Sequence, residues 1–155
     1  MRTGLFPSLA LSIALWSGTS LAPLAAQEDA AVELSHVAER YVVAYNEKKL
    51  DDILALFTPE AEMIDEIDSL SASGTEEIRS IFERSFAKYP DRRVALDVLS
   101  VRQIAENVVV EEGIARFSGE VPNEEGDAVA YSAVIVKDPA KGWLIASSRE
   151  LRIKE

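Results

Sequence analysis

Arg40-Tyr41-Val42-Val43-Ala44-Tyr45-Asn46-Glu47-Lys48-Lys49-Leu50-Asp51-Asp52-Ile53-Leu54-Ala55-Leu56-Phe57 carries two apolar stripes with a polar break between them. Extended upstream, the first stripe runs through Leu34, Val37, Ala38, Tyr41 and Tyr45 at steps of three and four residues, with Glu33, Glu39, Arg40 and Glu47 off it. No Gly or Pro interrupts it, so the spacing predicts a helix over 28–48 with one face buried. The break Asn46-Glu47-Lys48-Lys49 leads to a second, short helix whose apolar face is Leu50, Ile53, Leu54 and Phe57. Thr58-Pro59 is expected to end it, because proline disfavours helical backbone in the residue before it.

Working onward, Ala61 to Ile64 reads as a short strand, followed by the polar turn Asp65-Glu66-Ile67-Asp68-Ser69. A third helix then opens at Ser73-Gly74-Thr75-Glu76, with Ser73 or Thr75 expected as its cap. Ile78, Ile81, Phe82 and Phe86 form its buried stripe, and Tyr89-Pro90-Asp91 stops it. From Arg92 the period shortens to two. Residues 94–104, 108–118, 128–137 and 143–153 are rich in Val and Ile and are separated by Glu106-Asn107, by Pro122-Asn123-Glu124-Glu125-Gly126, and by Asp138-Pro139-Ala140-Lys141-Gly142. Four strands joined by turns make an antiparallel meander. Helices followed by a meander is the α+β pattern, in which the helices cover one face of the sheet.

The pattern Arg40-Tyr41-Val42, Tyr45-Asn46, Leu50-Asp51, Ile53 and Leu56-Phe57 resembles the nuclear transport factor 2-like superfamily, particularly its SnoaL-like and ketosteroid isomerase branches. Asp65 at the end of the short strand and Gly74-Thr75 with Ile78-Arg79 at the third helix continue the likeness, which extends over 33–151. The resemblance implies three N-terminal helices packed on a strongly curved antiparallel sheet, forming a cone with an apolar pocket. A fold of this kind serves many unrelated functions, so function has to be argued from the site.

In the isomerase branch a helical tyrosine donates to the developing enolate and an aspartate after the first strand moves the proton. Tyr41 and Asp65 match those positions and are the candidate catalytic pair; the mechanism is that of the resembled family. The residue types suit it, since a carboxylate in apolar surroundings accepts a carbon-bound proton and a neutral phenol stabilises an oxyanion by donation. The isomerases place a second, protonated acid on the third strand of the meander, whereas this chain has Ala130-Tyr131-Ser132-Ala133 there. Ser132 is the expected structural match, with Tyr131 on the opposite face of the strand.

The expected pocket wall comprises Tyr45, Met63, Phe82, Phe86, Glu112, Tyr131, Ser132 and Trp143. Plainer readings stand beside these. Tyr41 and Tyr45 lie on a buried helical stripe and are either site residues or core aromatics, and Asp65 is either a pocket carboxylate or a solvated strand end. Glu112 either pairs with Arg116 or Arg149 inside the cone or lies on the outer face, and Trp143 also suits core packing. His36 is the sole histidine and reads as a surface residue. Without a His pair, Cys or calcium-loop spacing, no metal is expected, and no cofactor either.

At the start of the chain, Arg2 precedes the apolar run Leu9 to Trp16, which is too short to span a bilayer and has the layout of a secretory signal. Cleavage is expected after Ala26, giving a signal over 1–26 and one domain over 27–155, exported to the periplasm or the extracellular space. The mature part would hold 15 basic against 27 acidic side chains, a net charge of −12. That balance repels a phosphate backbone and argues against nucleic acid, and no later segment is apolar enough to enter a membrane. The chain contains no cysteine, so its apolar core must hold it together. The expected function is the binding of a small, mostly apolar molecule in the pocket, with isomerase-like proton transfer. The alternative is a non-catalytic binding or homodimerisation module of the same fold.

Overall fold

The computed structural model describes residues 36–119 and 128–152; the expected signal over 1–26 lies outside them. Helix α1, described over 36–46, buries Val37 and Tyr45 on the expected stripe and Ala44 beside it, and exposes Glu39 and Arg40. Lys48 then takes a left-handed conformation (φ 57°), and Lys49 N–H donates to the Ala44 carbonyl at 2.9 Å, closing the helix. Helix α2 (Leu50–Leu54) is shorter than expected. Phe57 does not belong to it but opens strand β1 (Phe57–Asp65), because Ile145 N–H pairs with the Leu56 carbonyl at 2.7 Å and Phe57 registers with Ile145. Tertiary pairing thus overrides a helical stripe that local spacing alone supports. Pro59 is tolerated within β1 since it is exposed and lies where the ladder is interrupted between Phe57 and Glu62.

The sequence reading missed strand β2 (Leu70–Ser73), which folds back antiparallel on β1. The Asp65 carboxylate makes the tight turn between them by accepting backbone N–H groups of Ile67 (2.8 Å) and Asp68 (3.0 Å). Helix α3 (Thr75–Lys88) buries Ile78 and Phe82. Its cap differs from expectation: Gly74 holds the N-cap position at φ 80°, and neither Ser73 nor Thr75 caps with its side chain. Instead the Glu77 carboxylate reaches back to accept Ser73 N–H at 2.9 Å, one residue ahead of the cap, while Gly74 N–H donates to the Ala61 carbonyl.

Strands β3 (Arg93–Ala105), β4 (Val108–Ser118), β5 (Ala128–Asp138) and β6 (Gly142–Arg152) form the antiparallel meander read from the sequence. The complete sheet has the order β2-β1-β6-β5-β4-β3. It corrects the expected architecture twice. The sheet is mixed, because β1 runs parallel to β6, and two strands, not the one short strand expected, come before the third helix, so the helices are not all N-terminal to the sheet. The parallel seam matters for the site: it sets Asp65 in register with Glu150, residues far apart in the chain.

Candidate functional site

Side-chain alternation along β4 and β5 sends one parity inward, under the helices. Val109, Glu111, Ala115 and Phe117 of β4, and Val129, Ala133 and Ile135 of β5, are buried on that face. Tyr131 shares their parity, and its hydroxyl donates to Glu111 Oε1 at 2.9 Å. On β6 the parity switches. The β5–β6 register jumps from Ile135↔Ile145 to Val134↔Ser147, leaving Ala146 as an extra residue. A regular strand would turn positions 147 and 149 inward with Ile145, whereas the bulge puts Ser148 and Glu150 opposite Ala133 and Tyr131 on the inner face.

Two chambers lie under this face. The inner one, about 70 Å³, is mainly apolar, with Val37, Phe57, Leu96, Ala115 and Ile135 in its wall beside the polar Glu111, Tyr131, Ser148, Arg149 and Glu150. The outer one, about 440 Å³, extends between α1, α3 and the β1–β6 seam, and includes Tyr45, Asp65, Phe82, Arg92 and Glu150. Tyr41, Met63, Phe117 and Glu150 belong to both walls.

The electrostatics single out Glu150. Burial, reinforced by the charge of Asp65 beside it and to a lesser degree Asp68, pushes its carboxyl up to about 7, with Arg92 opposing. The Tyr41 phenol is raised well above its ordinary value, first by burial and then by Glu150, so it is a neutral donor. Glu111 is raised by burial, an effect the bond from Tyr131 partly offsets. Tyr131 is itself raised by burial and by Glu111.

Of the residues proposed from the sequence, Tyr41, Tyr45, Met63, Asp65 and Phe82 line the outer chamber, and Tyr131 joins Tyr41 and Met63 on the inner. The Tyr41 and Tyr45 rings lie 5.9 Å apart between centroids, tilted by 37°, and Tyr41 lies 6.4 Å from Phe82. Phe86 packs edge-on against Tyr45 at 5.1 Å, in neither wall. Glu112 and Ser132 are placed differently from expectation. They are register partners of the outward parity, so Tyr131, not Ser132, faces the chamber, and Arg116 pairs with Asp97 (2.8 Å) while Arg149 pairs with Glu66 (3.3 Å). Trp143 is buried in the core, under the ammonium of Lys137, and lines neither chamber. Sequence reasoning missed Glu111 and Glu150. For Glu111 a signal was present, because it shares parity with Val109, Ala115 and Phe117 whereas Glu112 shares parity with Arg116. For Glu150 there was none, since Ala146 gives no hint of a bulge. Among the described residues no three His, Cys, Asp or Glu side chains converge on a metal position, and no helix is long and apolar enough to cross a membrane.

The model of the SnoaL-like domain matches residues 38–139, about two thirds of the chain, taking in both helices and strands that wall the chambers. The chain belongs to the SnoaL-like domain family. Solved structures agree on the fold. A nuclear transport factor 2-like superfamily protein from Salmonella enterica serovar Typhimurium superposes with a TM-score of 0.71 at 18% identity, over 83% of this chain and 94% of that one. A protein with a cystatin-like fold from Nostoc punctiforme gives 0.70 at 18% identity, over 83% and 79%. A ketosteroid isomerase-like protein from Erwinia carotovora atroseptica gives 0.61 at 17% identity, over 85% and 97%. At these identities the likeness is one of fold: this SnoaL-like domain is an α+β, nuclear transport factor 2-like structure with a curved, mixed six-stranded sheet. No curated protein matches the chain closely enough to count as a relative.

Proposed function

We propose that this SnoaL-like domain binds a small, mostly apolar molecule in its two chambers and moves a proton on it next to a carbonyl. Glu150 is the base: its carboxylate takes the proton from carbon and returns it to the product, while the Tyr41 phenol donates to the carbonyl oxygen as it gains charge. The observation that carries this reading is a carboxyl pushed up to about 7, on the wall that both chambers share with the neutral Tyr41. A base of that strength is half ionised near neutral pH and still basic enough to act. Asp65, marked by the family resemblance for this step, has one oxygen tied to two backbone N–H groups and lines only the outer chamber. In this reading it is the second carboxylate, whose charge keeps Glu150 basic. The third strand of the meander carries Tyr131 in place of the isomerases' second acid, so steroid isomerisation is not the activity proposed.

Proton transfer can be read without the natural substrate. Incubated in deuterated buffer with cyclohexanone or α-tetralone, the protein should exchange α-protons above the buffer rate. Glu150→Gln should lower that rate by at least about a hundredfold, Asp65→Asn by less. Exchange at the wild-type rate in Glu150→Gln, or none in the wild type, contradicts the assignment.

A binding and self-association role is the second reading, favoured by the outer half of β3. There Val98, Leu99, Val101 and Ile104 are exposed on an edge strand, Leu99 by 71% and Ile104 by 55%. Sedimentation of the wild type and of Leu99→Lys tests it: a dimer that the substitution dissociates supports this role, and a monomeric wild type removes it. Export remains part of the proposal, supported by the charge and apolar run of residues 1–26, with a mature N-terminus at Gln27 as the expected mass-spectrometric result.

A further inference from the structure

The inner chamber holds a carboxyl group that the proton-transfer reading does not use. Glu111 is only 4% exposed. Its Oε1 accepts from the Tyr131 hydroxyl at 2.9 Å, but its Oε2 is buried without a hydrogen-bond partner among the described residues. A buried acceptor in that state carries its full desolvation cost, which a native fold seldom retains without a reason. The arrangement is also specifically accommodated. Gly113, the next inward position on β4, makes room for the Tyr131 ring: a Cβ there would lie 2.7 Å from Tyr131 Cε1 and 2.3 Å from the Asp97 carbonyl oxygen. The phenol can therefore lie across β4 and occupy one oxygen of Glu111, leaving the other for something else.

We propose that Glu111 is the inner polar anchor of the ligand site, and that its Oε2 accepts a hydrogen bond from a hydroxyl group at the tip of an otherwise apolar ligand. The wall around it, with Val37, Leu96, Ala115 and Ile135, suits an apolar body. A hydroxyl supplies the single donor that Oε2 lacks while the rest of the ligand stays apolar, as the wall is. Discrimination follows from the same physics. A ligand with a methyl group in place of the hydroxyl would leave Oε2 unpaired, and sites built to bond a hydroxyl reject such analogues strongly.

Phenol and toluene, which differ by that one replacement, are the probes, titrated against the full chain while methyl resonances of Ile135 and Ile145 are followed by NMR. Phenol should bind at least about tenfold more tightly than toluene. Glu111→Gln, of the same size but with a donor NH2 in place of the free oxygen, should lower the ratio, and Glu111→Leu should favour toluene; circular dichroism confirms that each variant is folded. Equal affinities in the wild type, an unchanged ratio in Glu111→Gln, or no binding of either probe would overturn the proposal. The readout is binding and not proton exchange, so failure of the Glu150 assignment would leave this result standing, and the reverse holds too.

Discussion

The wall made by β4 and β5 and the seam where β1 lies beside β6 each hold one carboxyl group that desolvation perturbs, and they treat it differently. In the wall, Glu111 receives a hydrogen bond from Tyr131 that counteracts the effect of burial. At the seam, Glu150 faces Asp65 across the parallel register, and the second charge adds to burial. Desolvation alone raises a carboxyl; the neighbour decides whether it becomes a ligand anchor or a base near neutrality. The topology is what separates the cases, since only a strand returning parallel to β6 brings a second acid alongside Glu150.

The wall is broken most severely by Gly113→Ala. The new Cβ would overlap the Asp97 carbonyl oxygen and the Tyr131 ring, so backbone as well as side chain must move. Urea unfolding should show a loss of about 3 kcal/mol. The seam is tested next, through pH. The folded carboxyl of Glu150 binds its proton more tightly than an unfolded one near 4.5, so its stabilising contribution is complete below that value and is lost as pH rises through about 7. Glu150→Gln should therefore remove about 2 kcal/mol of the wild type's decline between pH 5 and 8, allowing for partial contact with chamber water, in melts across that range. Glu111 has the same sign, so some decline should remain.

A smaller effect sharpens the contrast. Tyr131→Phe removes the donor to Glu111 Oε1, which should cost about 1 to 2 kcal/mol and raise the Glu111 carboxyl further, without moving Glu150. Smallest of all is Arg116→Ala. Its ion pair with Asp97 joins two side chains more than half exposed, on the outer face, and should change stability by less than about 0.5 kcal/mol.

Much of this is legible in the chain itself. The two-residue period of 108–118 and 128–137 defined β4 and β5, and the stripe from Val37 to Tyr45 defined the helix that brings Tyr41 to the chambers. What could not be read depended on distant partners. Phe57 fits a helical stripe with Ile53 and joins a strand only because Ile145 lies beside it. Ser71-Ala72-Ser73 has no strand-forming residue type, and pairs with β1 because the Asp65 turn returns it there. Glu150 points inward by virtue of a bulge at Ala146, a residue neutral towards bulging, so the inward parity of β6 had no local signature. Asp65 was recognisable through its family position, whereas the carboxyl it perturbs was not.

The most direct test is a titration of the Glu150 side chain, following its carboxyl carbon by NMR in protein labelled at glutamate, with Glu150→Gln for assignment. The midpoint should lie near 7 and fall towards the ordinary value in Asp65→Asn. A midpoint near 4.5 in the wild type, or one indifferent to Asp65, would contradict the role given to Glu150.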